Sequence, residues 1–135
     1  MVSPRAQTNV MRMRAEQLQA FTDAGESAFD ERLTDFLRQR FPNARDEDRE
    51  QVLDSVRPQA TRARTYGLET EREIAQYVVT AWILGPEFQS DFPAAQMVLQ
   101  SHALTPGAKA EWLSHFTLTL LSKLEDHAEA ASGDG

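Results

Sequence analysis

The chain has 135 residues, a length typical of one domain that buries roughly two thirds of its unfolded surface. Hydrophobic residues at 41% and charged residues at 26% argue against disorder throughout and against a fibrous assembly. The net charge of -7 argues against sequence-independent nucleic-acid binding, which needs an excess of Lys and Arg. The absence of cysteine excludes disulfides, thiolate catalysis and cysteine-ligated metals, and it suits a reducing cytoplasm.

Both ends of the chain are polar, which predicts a flexible N-terminus at residues 1–10, a helical domain at 11–128 and a disordered tail at 129–135. The longest apolar run, Tyr77 to Leu84, is far shorter than the roughly 20 residues that cross a bilayer. No apolar segment follows the basic residues of the N-terminus. We therefore expect neither a signal peptide nor a membrane span.

The first half of the chain predicts two helices. From Glu16 to Phe41 apolar residues recur with the helical period, so this segment is one long amphipathic helix, or two collinear ones broken near Gly25. Pro42 and Asn43 are expected to end it. Its apolar face consists of Leu18, Phe21, Phe29, Leu33, Phe36, Leu37 and Phe41.

A second helix is expected to begin between Arg45 and Glu47, where three acidic residues favour the positive end of a helix. Its apolar face consists of Val52, Leu53, Val56, Ala60 and Ala63. Pro58 lies inside this pattern and predicts a kink or a short restart near Arg57. Gly67 is expected to end the helix in the left-handed conformation, with Leu68 folding back onto it.

The third helix has the clearest boundaries. Thr70 and Glu73 form a capping-box pattern, which predicts a helix from about Glu71. From Ile74 to Leu84 the segment is apolar nearly all round, so we expect it at the centre of a bundle. Gly85 and Pro86 are expected to end it.

Two further helices are expected near the C-terminus. Asp91 can cap a short helix from Pro93 to His102 whose Met97, Val98 and Leu99 face inward, and Thr105 with Pro106 opens the last helix. The inner face of that last helix consists of Trp112, Leu113, Phe116, Leu120, Leu121 and Leu124. The predicted fold class is all-α, a single-domain bundle of about five helices with a central apolar helix.

Patterns that carry chemistry are absent from the sequence. The histidines His102, His115 and His127 are not spaced as metal ligands on one helix face. The acidic residues Asp30, Glu31 and Asp35 resemble a solvated helix face more than paired catalytic carboxylates. No phosphate-binding glycine loop or nucleophile elbow occurs. We therefore predict no catalytic, cofactor-binding or metal-binding residue and no cofactor.

A basic and aromatic cluster is the candidate partner-binding surface; its members are Arg57, Arg62, Arg64, Tyr66 and Arg72. Arginine and tyrosine dominate the energetics of many protein interfaces. Structural roles are the alternative, because Arg62 and Arg64 complement a helix C-terminus and Arg72 can pair with a neighbouring glutamate. The aromatic residues Tyr66, Tyr77 and Trp82 could anchor a partner helix, but a core role is favoured for them, above all for Trp82 in the most apolar helix.

The segment YGLETEREIAQYVVTAWILGPEF, with EQLQAFTDAGESAFDERLTDFLRQRFP upstream and LTPGAKAEWL downstream, resembles a family of small helical proteins encoded beside type VI secretion spike and effector-adaptor proteins of Gram-negative bacteria. The resemblance covers about residues 12–124, and Pro58 departs from the uninterrupted helix usual in the family. The shared residues are caps and core positions, so the resemblance implies kinship and transfers no catalytic residue.

The resemblance implies a cytoplasmic accessory that binds an effector or spike component before secretion. With no catalytic pattern, an acidic net charge and no long apolar run, we expect a non-enzymatic protein whose partner is a protein, and neither nucleic acid nor membrane. The alternative is an immunity protein that neutralises a secreted toxin, since an acidic body suits a basic toxin. An enzyme and a nucleic-acid-binding regulator are weaker alternatives. The sequence does not specify the oligomeric state.

Overall fold

The computed structural model describes residues 25–133, and the side chains of residues 25–124. This part of the chain is all-helical and contains no strand, in agreement with the predicted fold class. It forms seven helices: α1 at 25–40, α2 at Pro42–Arg45, α3 at Arg49–Thr65, α4 at Glu71–Leu84, α5 at Phe88–Asp91, α6 at Pro93–Gln100 and α7 at Pro106–Gly133. The predictions for residues 1–24, including the flexible N-terminus and the apolar positions Leu18 and Phe21, lie outside the described residues.

The chain divides into two compact units, Met1–Arg49 and Glu50–Gly135. The division falls inside the helical domain predicted for residues 11–128. None of the described helices is long and apolar enough to cross a membrane.

In the first unit, α1 follows the predicted period, because Phe29, Leu33 and Leu37 are all buried. Phe36 was expected on the same face and is instead 41% exposed, with its ring 5.4 Å from the Arg40 guanidinium carbon. The buried face is centred between Leu33 and Leu37, and the helical period of 100° per residue places Phe36 at its edge.

The prediction that Pro42 and Asn43 end the first long helix is confirmed, because α1 stops at residue 40. Pro42 then opens a short helix, α2, in which Ala44 is buried. Proline is tolerated in a first turn because the N–H that it lacks would have no partner within the helix. The Arg45 guanidinium donates to the carbonyls of Arg38 and Gln39, at 3.2 and 3.0 Å, and so caps the C-terminus of α1.

Helix α3 begins at Arg49, later than predicted, because the preceding acidic residues lie in the turn after α2. It continues through Pro58 as one helix, so the predicted restart does not occur. Gly67 has φ +89°, as expected for a left-handed C-terminal cap. The Leu68 N–H donates to the Ala63 carbonyl at 3.2 Å, which is the Schellman pattern, and Leu68 is buried.

The boundaries predicted for α4 are confirmed at both ends. Thr70 Oγ1 accepts from the Glu73 N–H at 3.1 Å, and the Glu73 carboxylate accepts from the Thr70 N–H at 2.9 Å. Among its residues Tyr77 is completely buried, and only the first two, Glu71 and Arg72, are exposed. Helix α7 packs along α4, and α5 contacts it as well.

The segment after α4 contains two predictions that are wrong. Asp91 does not cap α6: it is the last residue of α5, and Phe92 occupies the cap position without a side-chain hydrogen bond. Met97 is 75% exposed, whereas its neighbour Leu99 is 1% exposed, so α6 turns a narrower face inward than expected. Helix α6 packs against α5 and α7 and ends at Gln100 instead of His102.

The start of α7 is confirmed, because Thr105 Oγ1 accepts from the Ala108 N–H at 3.1 Å. Leu113 is fully buried as predicted, but Leu124 is 62% exposed and is not part of the inner face. A hydrogen bond of 2.9 Å between the hydroxyls of Thr80 and Thr117 joins α4 to α7 in the buried interior. Residues 129–133, which the sequence assigned to a tail, belong to α7.

Candidate functional site

The five predicted partner-binding residues do not form one surface. Arg57 is exposed on α3 and lies 3.8 Å from the Asp54 carboxylate. Arg64 is partly buried in the last turn of the same helix. Tyr66 and Arg72 line two different cavities, both within the second unit. The basic cluster seen in the sequence is therefore dispersed by the fold.

Arg62 has a structural role. Its guanidinium donates to the Pro86 carbonyl at 2.9 Å and lies 3.8 Å from the Glu87 carboxylate, and Gln59 donates to the same carbonyl at 3.3 Å. These contacts fasten the end of α3 to the turn between α4 and α5. The hydroxyl of Tyr77 is buried nearby, and burial raises the pKa of this group, an effect that the charge of Arg62 opposes. The structural alternative for Arg62 thus has direct support.

The larger of the two cavities is an open groove of about 720 Å³, called here the Lys109 groove. The turn after α3 forms one wall, and the turn between α6 and α7 forms the other. Its lining residues are Thr65, Tyr66, Gly67, Glu69, Leu99, Gln100, Ser101, His102, Leu104, Pro106 and Lys109. It brings Tyr66 together with residues that the sequence analysis did not connect to it.

Lys109 is the central residue of this groove. It lies in the first turn of α7, and although it is a lysine only 7% of it is exposed. Its ammonium donates to the carbonyls of Tyr66 and Leu99, both at 2.8 Å. Tyr66 follows the last residue of α3 and Leu99 lies in the last turn of α6. Helix C-termini carry unpaired carbonyls and partial negative charge, so one cation stabilises two helix ends.

Gly67 lies beside the Lys109 ammonium in the lining of the groove. Its φ of +89° belongs to the left-handed region that favours glycine. A Cβ atom at this position would lie 4.0 Å from Lys109 Nζ, so a side chain here would stand beside the ammonium. Gly67 is itself exposed. The same residue therefore ends α3 and places no side chain beside Lys109 Nζ.

The rim of the groove combines apolar and polar side chains, and one of them, Tyr66, packs against a buried ring. Leu104 is 40% exposed, and the Tyr66 ring is held by the Tyr77 ring at a centroid distance of 5.9 Å. Glu69 adds an exposed carboxylate, and His102 lies on the opposite turn. Such a mixture resembles the anchors and polar rim of protein interfaces.

The second cavity, of about 580 Å³, lies between the start of α4 and α7. Arg72 and His115 both line this cavity. The His115 imidazole lies 4.0 Å from the Glu111 carboxylate. Both of these side chains are 76% exposed, so this pair contributes little in water. The pKa of Glu73, another lining residue, is lowered because its carboxylate accepts hydrogen bonds from the Thr70 and Glu69 N–H groups. Its carboxylate therefore serves the helix cap.

The acidic residues of the first unit also have structural partners. The Arg49 guanidinium binds the Asp35 carboxylate at 2.8 and 3.4 Å, and this hydrogen bonding lowers the Asp35 pKa. Glu31 lies 4.0 Å from the same guanidinium. Within the described residues no group of three or more His, Asp or Glu side chains is placed to hold a metal ion.

Sequence reasoning did not identify Lys109, although a signal for it exists. Lys109 precedes Leu113 by four residues and Trp112 by three, so it lies in phase with the apolar face of α7. A lysine at such a position must extend its ammonium to buried acceptors.

Comparison with protein-family models matches no family, and comparisons with curated proteins and with solved structures match no relative. The resemblance to the type VI secretion family stays an expectation from the residues that carry it.

Proposed function

We propose that this protein is a cytoplasmic, non-enzymatic accessory of a bacterial type VI secretion system that binds an effector or spike component. The Lys109 groove is the observation that supports this function. It is an open cleft framed by two turns that the Lys109 ammonium ties together. A preformed cleft lowers the entropic cost of ordering a site when a partner binds.

The rim of the groove suits a polypeptide partner. Tyr66 and Leu104 offer apolar contact area, and Tyr66 is already immobilised by ring packing. The polar residues Gln100, Ser101 and His102 line the same cleft and offer hydrogen-bonding groups to a polypeptide. We also propose that α4 is the central helix of the second unit, since α5 and α7 both contact it.

An immunity protein is the second candidate. The net charge of -7 favours it, because a strongly acidic surface accelerates association with a basic toxin. Co-expression with a toxin encoded beside it distinguishes the two functions: protection of the host cell supports immunity, and unchanged killing supports the accessory role.

The test of the proposed function is an affinity pull-down of the full chain from its native host with mass spectrometry. Three forms are compared: the natural chain, the groove variant Tyr66→Ala/Leu104→Ala, and Met97→Ala. Met97 is the matched control because its side chain is highly exposed and lies outside the groove lining. We expect a secretion component with the natural chain and with Met97→Ala, and its loss with the groove variant.

Two results would contradict the proposal. One is the recovery of no effector or spike component by any form of the chain. The other is equal recovery by the groove variant, which would move the binding surface away from Tyr66 and Leu104. The folded state of each variant is verified by circular dichroism before the comparison.

A further inference from the structure

The Lys109 ammonium has an incomplete set of partners. An ammonium carries three N–H donors, and two of those of Lys109 are used by the Tyr66 and Leu99 carbonyls. Both acceptors are neutral. Among the described residues no carboxylate lies within ion-pair distance of Nζ, although the residue is more than nine-tenths buried. An ionised acceptor makes a stronger hydrogen bond with an ammonium than a neutral carbonyl does.

The groove gives an external anion access to this cation. Lys109 contributes to the lining of the cleft, and the missing side chain of Gly67 leaves space beside Nζ. An extended peptide can place a carboxylate there while its neighbouring apolar residue contacts Tyr66 and Leu104 on the rim. The bond formed would be charge-assisted on both sides, which is the stronger class of hydrogen bond.

We propose that the Lys109 groove recognises an acidic peptide segment, one carboxylate of which accepts the third N–H of the Lys109 ammonium. This inference rests on the proposed function, because it names the chemistry of the partner segment that the groove holds. The exposed Glu69 carboxylate lines the same cleft and repels an incoming acidic residue, so it weakens binding of the segment.

The experiment uses a phage-displayed library of random octapeptides, selected on the immobilised full-length chain. We expect the selected peptides to share one Asp or Glu beside an apolar residue. A synthetic copy of the best peptide is then compared with its Asn or Gln counterpart by fluorescence anisotropy. Loss of the charge-assisted bond is expected to weaken binding about tenfold or more.

Glu69→Gln supplies a gain-of-function test that does not disturb Lys109. Removal of a like charge from the groove lining is expected to tighten binding about threefold at low salt. Glu47→Gln is the matched control, because it makes the same change of net charge at an exposed position of the other unit, and we expect it to leave the affinity unchanged. Lys109→Met is expected to abolish the carboxylate preference, provided that its tryptophan fluorescence remains native.

Three kinds of result would overturn the inference. The selection could yield no binding peptide, or only peptides that lack Asp and Glu. The amide counterpart could bind as tightly as the acidic peptide, or Glu47→Gln could raise the affinity as much as Glu69→Gln. The last result would mean a general charge effect. The pull-down separates this inference from the proposed function. A secretion partner that is lost from the groove variant, but binds Glu69→Gln and the natural chain equally well, would refute only the acidic-peptide chemistry. Failure to recover such a partner would refute the proposed function itself.

Discussion

Replacement of Lys109 by methionine tests whether one ammonium holds two helix ends together. Methionine retains most of the apolar stem and has a helix propensity close to that of lysine, so the substitution removes mainly the charge and its two hydrogen bonds. The carbonyls of Tyr66 and Leu99 would lose their charged donor.

The expected loss of stability follows from these two bonds. Hydrogen bonds from a charged donor contribute about 1.5–3 kcal/mol each, which gives about 3–6 kcal/mol for the pair. Part of this is offset, because the variant no longer buries a charge and the groove lets water reach the freed carbonyls. We therefore expect the free energy of unfolding to fall by about 2–4 kcal/mol.

Urea unfolding followed by tryptophan fluorescence measures this change in the relevant unit, because the two tryptophans, Trp82 and Trp112, both lie in the second unit. Lys123→Met is the matched control on the same helix, since Lys123 is exposed. Its effect is expected to stay within about 0.5 kcal/mol, as is usual at surface positions. A loss for Lys109→Met no larger than that of Lys123→Met would refute the role assigned to the ammonium.

Three further predictions concern the cap of α4 and the turn before it, and the same fluorescence assay checks each. Thr70→Ala removes the acceptor of the Glu73 N–H and is expected to cost about 1 kcal/mol with helicity retained; unchanged melting would contradict the cap. Gly67→Ala is expected to lower the free energy of unfolding by about 1–2 kcal/mol, because alanine is strained at φ +89°. Gly107→Ala is the control: Gly107 lies in a helical first turn, and an added Cβ would have its nearest contact at 3.8 Å, so this change is expected to be neutral or stabilising. The carboxylate of Glu73 has a lowered pKa in the folded state, so its stabilisation is present above the ordinary value of 4.5 and is lost as pH falls through the lowered value. The difference in stability between the natural chain and Glu73→Gln is therefore expected to be largest near neutral pH and to vanish in acid, and a difference independent of pH would count against it.

The sequence predicted best the parts of the chain that depend on local interactions. The capping box of Thr70 and Glu73 and the glycine cap at Gly67 involve partners three to five residues apart, and all of these contacts are present in the structure. A local contact needs only the right residue types at the right spacing, so its pattern is visible in the sequence. The start of α7 at Thr105 belongs to the same class.

The predictions that failed depend on where neighbouring elements lie. Phe36 and Met97 fit an apolar helical period, but each lies where its helix is not covered. Asp91 has the correct residue type for a cap, yet the segment before α6 forms α5 and takes Asp91 with it. Tertiary packing decides which apolar side chains of a helix are buried and where short helices such as α5 form. The hydrophobic period of the sequence does not specify that packing.

The candidate site, like the predictions that failed, depends almost entirely on tertiary packing. Of the five predicted binding residues, only Tyr66 lines the Lys109 groove, while Arg62 is fixed to the Pro86 carbonyl and Arg72 faces another cavity. Lys109 lies 43 residues from one of its carbonyl partners and 10 from the other, and no residue pattern records such distant pairs.

The sequence by itself therefore determined that the chain is helical and where α4 begins and ends, because those features arise from contacts within a few residues. The tertiary structure alone decided which charged residues are structural and which line a groove. The physical reason is that a buried ammonium requires acceptors, and here those acceptors are the ends of two other helices that only the folded chain brings to it.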